Sequence, residues 1–266
     1  MIAAGLDVGS RTIKLVTLVG SSERPRDTVV VASGANPVRR CQELLAGLDG
    51  VPLVVTGYGR HVVADELGGR KVSEIKACAV GARYLYQDAG TVIDIGGQDT
   101  KVTQLGKAGE VVKFEMNDRC AAGTGRFLEV MAGILEVSIA DLGPLALRAT
   151  HAAQVNSLCT VFAESEVVSL ISRGEESASV ALALHEAIAV RIAAMARRVG
   201  IKERLVFAGG GALNPCLQQL LGDKLGVRVT VPESPQTISA LGAAILAQRE
   251  TWTTGLLRTC REHDGV

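Results

Sequence analysis

The chain has 266 residues, with 28 basic and 28 acidic side chains, and it is 47% hydrophobic but only 3% aromatic. This size and composition are typical of a globular chain with one duplicated domain or two lobes, and they exclude a peptide, a coiled coil and a disordered tail. The formal charge of zero, with no basic cluster, argues against nucleic acid as a partner. No stretch approaches eighteen consecutive apolar residues and no basic segment precedes the first apolar run, so we predict a cytoplasmic protein with no membrane contact.

Short runs of Val, Ile and Leu that end in glycine alternate with stretches rich in Ala and Leu, which is typical of an α/β protein. In chain order, the predicted strands are 2–8, 14–19, 28–32, 53–56, 91–95, 100–105, 111–115, 205–208 and 228–231. The predicted helices are 38–48, 74–86, 126–135, 139–149, 161–172, 177–199, 215–225 and 238–248. Residues 250–266 lose apolar periodicity and are expected to fray.

One internal repeat organises the chain. Residues 7–14 and 94–101 share the pattern Asp, β-branched residue, Gly, small residue, three residues, Lys, and each copy follows an apolar strand. The repeat predicts two related lobes, each with a glycine-bearing hairpin loop, and a binding site in the cleft between them. The expected first lobe is 1–90, joined by a helix at about 238–250; the second lobe is 91–237, and 251–266 form a flexible tail.

The repeated loops have the chemistry of a nucleotide site. Glycine lets backbone N–H groups approach phosphate oxygens, and Asp7 and Asp94 at the strand ends can hold Mg²⁺. A single Asp-x-Gly loop is more often a plain hairpin, but here a third glycine segment also stands between a strand and a helix. The predicted nucleotide contacts are Gly9, Ser10, Gly96, Gly97, Gly209, Gly210, Gly211 and Asn214.

Two lysines of the repeat, Lys14 and Lys101, stay outside the predicted site. A lysine at the start of an outgoing strand is more often a solvated edge residue than a phosphate ligand. A P-loop is excluded, because the chain has no Gly-x-x-x-x-Gly-Lys-Ser/Thr pattern.

Cys120 and Cys159 each precede a predicted helix in a segment rich in Gly or Ser. A helix N-terminus favours thiolate, although an isolated cysteine in this position is more often inert. A [4Fe–4S] cluster requires four thiolates, so two such cysteines per chain would hold one only across the axis of a symmetric homodimer. The remaining cysteines receive no role; they are Cys41, Cys78, Cys216 and Cys260.

Five segments resemble the signatures of the 2-hydroxyacyl-CoA dehydratase activators, the BadF/BadG/BcrA/BcrD-type ATPases. They are residues 94–99, 117–127 and 159–167, together with 56–60 and 240–244. The resemblance implies a duplicated actin-like, sugar-kinase-like and heat-shock-chaperone-like ATPase fold. It also implies a homodimer bridged by one [4Fe–4S] cluster, with Cys120 and Cys159 as the ligands from each chain.

The same resemblance implies a function. ATP hydrolysis with Mg²⁺ would drive a conformational change that passes one low-potential electron from a ferredoxin or flavodoxin to an iron–sulfur partner, usually a 2-hydroxyacyl-CoA dehydratase. Asp7 and Asp94 would coordinate or orient the metal, and Gln98 is a candidate for positioning the attacking water. Arg11 stands where the family pattern usually has Thr, and it is counted among the phosphate contacts. Cys78 stands where many relatives carry His.

Three alternatives stay open. A small-molecule kinase of the same fold would use the site without iron. A redox-sensing regulatory module would bind nucleotide with negligible turnover. An ATPase subunit of a benzoyl-CoA reductase, or of a double-cubane-cluster reductase, would share the motifs.

Overall fold

The computed structural model describes residues 2–20, 25–118, 121–155 and 160–249. The chain divides into two compact units, one formed by Met1–Gln87 with Thr237–Val266 and the other by Asp88–Gln236. The predicted flexible tail, 251–266, lies outside the described residues. Both units combine a mixed sheet with helices, so the α/β prediction is confirmed.

The first unit is built on a five-stranded sheet in the order β3-β2-β1-β4-β5. Strand β1 is antiparallel to β2 and parallel to β4. Its strands are β1 (Ile2–Val8), β2 (Thr12–Val19), β3 (Asp27–Ala32), β4 (Leu53–Thr56) and β5 (Arg70–Lys71). Its helices are α1 (Pro37–Leu45), α2 (Arg60–Leu67), α3 (Glu74–Leu85) and a last helix at residues 238–249.

The second unit repeats this topology. Its strands are β6 (Thr91–Ile95), β7 (Thr100–Leu105), β8 (Val111–Asn117), β9 (Leu205–Gly209) and β10 (Val229–Thr230). They lie in the order β10-β9-β6-β7-β8, so both sheets follow the order 3-2-1-4-5 when strands are counted within each unit. The helices are α4 (Gly125–Ile134), α5 (Ile139–Ala146), α6 (Thr160–Ser172), α7 (Ser177–Val199) and α8 (Pro215–Leu225), with short 3₁₀ turns at Gly210–Leu213 and Pro235–Thr237. The shared strand order confirms the duplication that the sequence repeat predicts.

Helix α7 is the centre of the second unit's core. Its apolar side chains, among them Leu184, Ile188 and Ile192, are buried with Phe127 and Phe207. Helix α7 is the single helix among the described residues whose length and apolar composition would allow it to cross a membrane. However, 61% of its most apolar 18-residue window is buried inside the protein. Burial in the core therefore accounts for its apolar composition.

Most predicted elements are present with shifted ends, but α2 and β5 were not predicted. Helix α2 follows Gly59, which provides no side-chain capping hydrogen bond. The usual start signal of Ser, Thr, Asp or Asn is therefore missing from the sequence at this point. Strand β5 has only two residues, too few for a periodic pattern.

Glycines allow helix 238–249 to pack unusually closely within the first unit. A Cβ at Gly242 would overlap the carbonyl oxygen of Ala77 in α3, and a Cβ at Gly81 would overlap the carbonyl oxygen of Ile238. A Cβ at Gly5 in β1 would overlap the backbone of the same helix at Ala240 and Ala244. Helix 238–249 thus lies in backbone contact with both α3 and the central strand, a separation that only glycine permits.

We expect Gly242→Ala to lower the free energy of unfolding by about 2 kcal/mol or more, because the new methyl group meets backbone that cannot rotate away. Gly133→Ala is the matched control, since Gly133 is also helical and has no atom within 4 Å of the added Cβ. The control should stabilise the protein by about 0.5–1 kcal/mol through helix propensity. Urea unfolding of both variants measures the difference, and equal effects would contradict the proposed backbone contact.

Candidate functional site

The first loop, residues 9–11, joins β1 to β2 as a tight hairpin closed by a hydrogen bond from the Gly9 N–H to the Thr12 carbonyl, 3.1 Å long. Asp7 precedes it at the end of β1 and is only 3% exposed. Its Oδ2 accepts a hydrogen bond from Lys14 Nζ at 3.0 Å, while Oδ1 is buried with no hydrogen-bond partner in the described part of the chain. A buried carboxylate oxygen without a donor is costly unless a ligand completes it, so it fits Mg²⁺ or one of the metal's waters.

The neighbouring strand β4 brings a glycine turn against Asp7. Thr56 pairs with Asp7 across the parallel strands, and Gly57 follows with φ of +88°. A Cβ at Gly57 would overlap Asp7 Oδ1, and a Cβ at Gly59 would lie 2.6 Å from Val8 Cγ1. Only glycine fits at these positions, and the turn closes one side of the carboxylate.

The second loop, residues 96–99, repeats this arrangement between β6 and β7. The Gly96 N–H donates to the Asp99 carbonyl at 2.9 Å, and Asp94 precedes the loop with 6% exposure. On β9, Ala208 pairs with Asp94, and Gly209 follows with φ of +82°. A Cβ at Gly209 would overlap Asp94 Oδ1. The third loop, residues 209–213, therefore faces Asp94 as the Gly57 turn faces Asp7.

The correspondence extends to the second glycine of each turn. A Cβ at Gly211 would lie 2.5 Å from Ile95 Cβ, just as one at Gly59 would crowd Val8. Gly57 and Gly59 were not among the predicted site residues, although Gly-x-Gly directly after a strand also marks the third loop. A comparison of these two Gly-x-Gly segments would have revealed them.

The sequence predicts that the two lysines of the repeat are solvated edge residues, but the structure places both inside the sheets. Lys14 lies on β2 and Lys101 on β7, and each of these strands has a neighbour on both sides. The Lys14 side chain is 14% exposed and pairs with Asp7; the Lys101 side chain is 5% exposed and pairs with Asp99 Oδ1 at 2.7 Å. The expectation was wrong because strand order, which places these lysines inside the sheets, is not readable from the local sequence.

The remaining residues predicted for the loops differ in exposure. Three of them are exposed: Arg11, Gln98 and Gly210. Five are partly buried: Gly9, Ser10, Gly96, Gly97 and Gly209. Gly211 is buried. Asp7 with the first loop lies in the first unit, and Asp94 with the second and third loops lies in the second unit.

Asn214 has a structural role at the end of the third loop. Its Oδ1 accepts a hydrogen bond from the Leu217 N–H at 3.1 Å and so caps α8, and its Nδ2 lies 2.9 Å from His185 Nε2. His185 Nδ1 lies 2.6 Å from the Ala181 carbonyl, which can only accept, so Nδ1 carries the proton and Nε2 accepts from Asn214. Both polar ends of the Asn214 side chain are used inside the protein.

Burial lowers the pKa of His185 from its usual 6.5, so its ring is held neutral. As the pH falls below about 6.5, the unfolded chain takes up a proton that the folded chain resists, and the free energy of unfolding decreases. The slope from this one group can reach at most about 1.4 kcal/mol per pH unit.

We expect His185→Gln to flatten this pH dependence between pH 7.5 and 5.5, because the Gln side-chain oxygen can accept from Asn214 without titrating. His61→Gln is the control, since His61 is exposed. Urea unfolding across this range measures the slope. An unchanged slope in the His185 variant would show that His185 is not the titrating group.

Cys120 and Cys159 lie outside the described residues, but the residue that follows each of them is described. Helix α6 begins at Thr160, directly after Cys159, whereas α4 begins at Gly125, with a turn over residues 121–124 after Cys120. Cys41 and Cys216 are fully buried, and this burial raises the pKa of both thiols to about 11. These two cysteines are therefore poor thiolate ligands, and among the described residues no cluster of His, Cys, Asp and Glu is suited to a metal ion.

Two sheets of one topology, each with an Asp–Gly loop, define the ATPase fold that sugar kinases also use. A ROK family glucokinase from Streptomyces griseus, in complex with glucose and AMPPNP, shares this fold with a TM-score of 0.60 at 14% identity, covering 94% of this chain and 100% of its own. The structure of the activator of the 2-hydroxyisocaproyl-CoA dehydratase from Clostridium difficile with bound ADPNP is far more similar. Its TM-score is 0.89 at 35% identity, and the match covers 96% of this chain and 97% of the activator chain.

Sequence comparison identifies the family within this ATPase fold to which the chain belongs. The (R)-2-hydroxyglutaryl-CoA dehydratase activating ATPase of Acidaminococcus fermentans is 39% identical over 253 residues, covering 92% of this chain and 96% of its own. A benzoyl-CoA reductase component of Thauera aromatica is 28% identical over 263 residues, covering 92% of each chain. The chain belongs to the BadF/BadG/BcrA/BcrD ATPase family, which it matches over residues 4–247.

Proposed function

We propose that this chain is an ATP-dependent one-electron donor that activates an iron–sulfur partner enzyme of the 2-hydroxyacyl-CoA dehydratase class. One structural observation carries the proposal: a buried aspartate against a glycine turn, beside a glycine hairpin loop, occurs twice in the same topology. Three relatives that are 37–39% identical to the chain are named as activators of such dehydratases. The protein would act in the cytoplasm, where thiols stay reduced.

ATP binding would use the glycine loops of both units. The backbone of Gly9, Ser10, Gly96 and Gly97 would hold the phosphates, with Arg11 as an additional cation. Mg²⁺ would be held, directly or through water, by Asp7 and Asp94. Asp7 Oδ1, which has no hydrogen-bond partner among the described residues, supports this assignment. The third loop would contact the nucleotide through its backbone at Gly209, Gly210 and Gly211. Asn214 would act indirectly, by fixing the end of this loop at the start of α8.

Hydrolysis would convert ATP and water to ADP and phosphate without a covalent intermediate. Gln98 is exposed at the tip of the second loop and is the candidate for orienting the attacking water. Lys14 and Lys101 would orient the loop carboxylates, since Lys14 pairs with Asp7 and Lys101 with Asp99.

The electron-transfer group would be one [4Fe–4S] cluster shared by two chains, with Cys120 and Cys159 of each chain as ligands. Held by these cysteines, the cluster would supply one-electron redox chemistry between a ferredoxin or flavodoxin and the partner enzyme. The start of α6 directly after Cys159 supports this, because free N–H groups at a helix N-terminus favour a thiolate. The raised pKa of the Cys41 and Cys216 thiols supports the same choice of ligands by disfavouring these two.

A second candidate function is the ATPase component of a benzoyl-CoA reductase-type or double-cubane-cluster reductase. The similarity to the benzoyl-CoA reductase component of Thauera aromatica favours it, at a lower identity than the dehydratase activators show. The two functions differ in the partner that accepts the electron. Reconstitution with a dehydratase and with a reductase would distinguish them.

We expect Gly209→Ala to weaken ATP binding more than about tenfold, because its methyl group would displace the Asp94 carboxylate. Gly226→Ala is the matched control: Gly226 also has a positive φ, of +66°, but no atom lies within 4 Å of an added Cβ. Calorimetric titration with ADPNP and Mg²⁺ measures the affinity. Equal affinities of the two variants would contradict the placement of nucleotide at the third loop.

Iron and acid-labile sulfide analysis of protein purified without oxygen tests the cluster. About two iron atoms per chain are expected for one cluster per dimer. Cys120→Ala and Cys159→Ala should each lose the iron and the visible absorption, whereas Cys216→Ala should retain both. A colourless, iron-free wild-type protein that still hydrolyses ATP would favour a small-molecule kinase. Tight nucleotide binding with negligible turnover would favour a regulatory module.

A further inference from the structure

The segment that follows Cys120 is hydrogen-bonded directly to the second loop. The Gly125 N–H donates to the Gly96 carbonyl at 2.9 Å, and the Arg126 N–H donates to the Gly97 carbonyl at 2.8 Å. Thr100 Oγ1 donates to the Gly123 carbonyl at 2.5 Å. Three hydrogen bonds thus join the loop and the first residue of β7 to residues 123–126.

These contacts are short, and the one made by Thr100 is buried. Thr100 is 1% exposed, and two of the three bonds join backbone to backbone. A Cβ at Gly125 would lie 3.0 Å from the Gly96 carbonyl oxygen, so the two segments are already in close contact. A shift of the second loop must therefore move residues 123–126 or break these bonds.

The first loop uses the equivalent carbonyl differently. Gly9 corresponds to Gly96 in the repeat, and the Gly9 carbonyl accepts a hydrogen bond from Ser33 Oγ at 2.8 Å. Ser33 follows β3 of the same sheet. The next cysteine along the chain, Cys41, is fully buried in α1 and has no predicted role. Of the two repeats, the second has its loop carbonyl bonded to the segment next to Cys120.

We propose that Thr100 is a positioning residue that couples the nucleotide state of the second loop to the segment after Cys120. This inference rests on the proposed function, since it assigns phosphates to the second loop and a cluster ligand to Cys120. Thr100 itself would not touch the nucleotide, because its hydroxyl is committed to the Gly123 carbonyl. Its effect would be to make residues 121–126 follow the loop when nucleotide binds.

Thr100 is the one member of this link that substitution can remove selectively. The bonds of Gly125 and Arg126 are made by the backbone, so a side-chain substitution other than proline leaves their donors in place. Thr100→Val keeps the shape and the β-branch but loses the donor, while Thr100→Ser keeps the donor. Thr91→Val is the matched control, because Thr91 is equally buried in the same sheet and donates to the Lys202 carbonyl at 2.9 Å, away from the loop.

The test is hydrogen–deuterium exchange of the peptides covering residues 121–128, in the full-length protein, with and without ADPNP and Mg²⁺. In the wild type, nucleotide should slow exchange in this segment by roughly tenfold, as the gain of about one hydrogen bond does. Thr100→Val should weaken this nucleotide response, because it removes one of the three hydrogen bonds, while its ADPNP affinity and iron content stay within about twofold of wild type. Thr100→Ser and Thr91→Val should respond as the wild type does.

The outcomes separate this inference from the proposed function. A wild type that binds nucleotide and iron, but whose exchange at 121–128 ignores nucleotide, would overturn the coupling and leave the proposed function standing. A full response in Thr100→Val would overturn the role of Thr100. Failure of the wild type to bind nucleotide or iron would count against the proposed function itself, before any variant is measured. Should Thr100→Val fail to fold, the wild-type response and Thr100→Ser still test the coupling.

Discussion

The structure of both units depends on the close approach of an aspartate carboxylate to a glycine turn. Asp7 meets the turn at Gly57, and Asp94 meets the turn at Gly209, so closely in each case that a methyl group would overlap the carboxylate oxygen. The contact joins two parallel strands at their carboxyl ends, which fixes the hairpin loop on one strand relative to the turn on the next. A desolvated carboxylate held in one orientation is suited to a metal–phosphate ligand and costly without one.

Duplication of this contact has produced two loops with different surroundings. The loop in the first unit is tied to its own sheet through Ser33, and the loop in the second unit is tied to the segment after Cys120. The shared topology explains why the two loops resemble each other, and the hydrogen bonds to residues 123–126 would let the second loop communicate with the proposed redox group. A nucleotide can bias such a link only by binding its two arrangements with different affinities.

Local sequence was sufficient for the strands, most helices and the repeated loops, because apolar runs and glycine punctuation are local signals. It was insufficient wherever a property depends on strand order or on distant packing. Lys14 and Lys101 looked like edge residues, yet both lie inside sheets whose order no local pattern reveals. Asn214 looked like a ligand contact, yet its side chain bonds to His185, a residue 29 positions earlier in the chain. The role of Gly57 was hidden because its partner, Asp7, lies on another strand.

The backbone contact of helix 238–249 with α3 and β1 has a consequence for the order in which the protein is made. The first unit is discontinuous, since it needs this helix from the far end of the chain, whereas the second unit is contiguous. During synthesis, the ribosome therefore releases every residue of the second unit before it releases the helix that completes the first. Since domains fold as units, the half that starts the chain is the last to reach its native packing, and its exposed β1 surface would need protection until then.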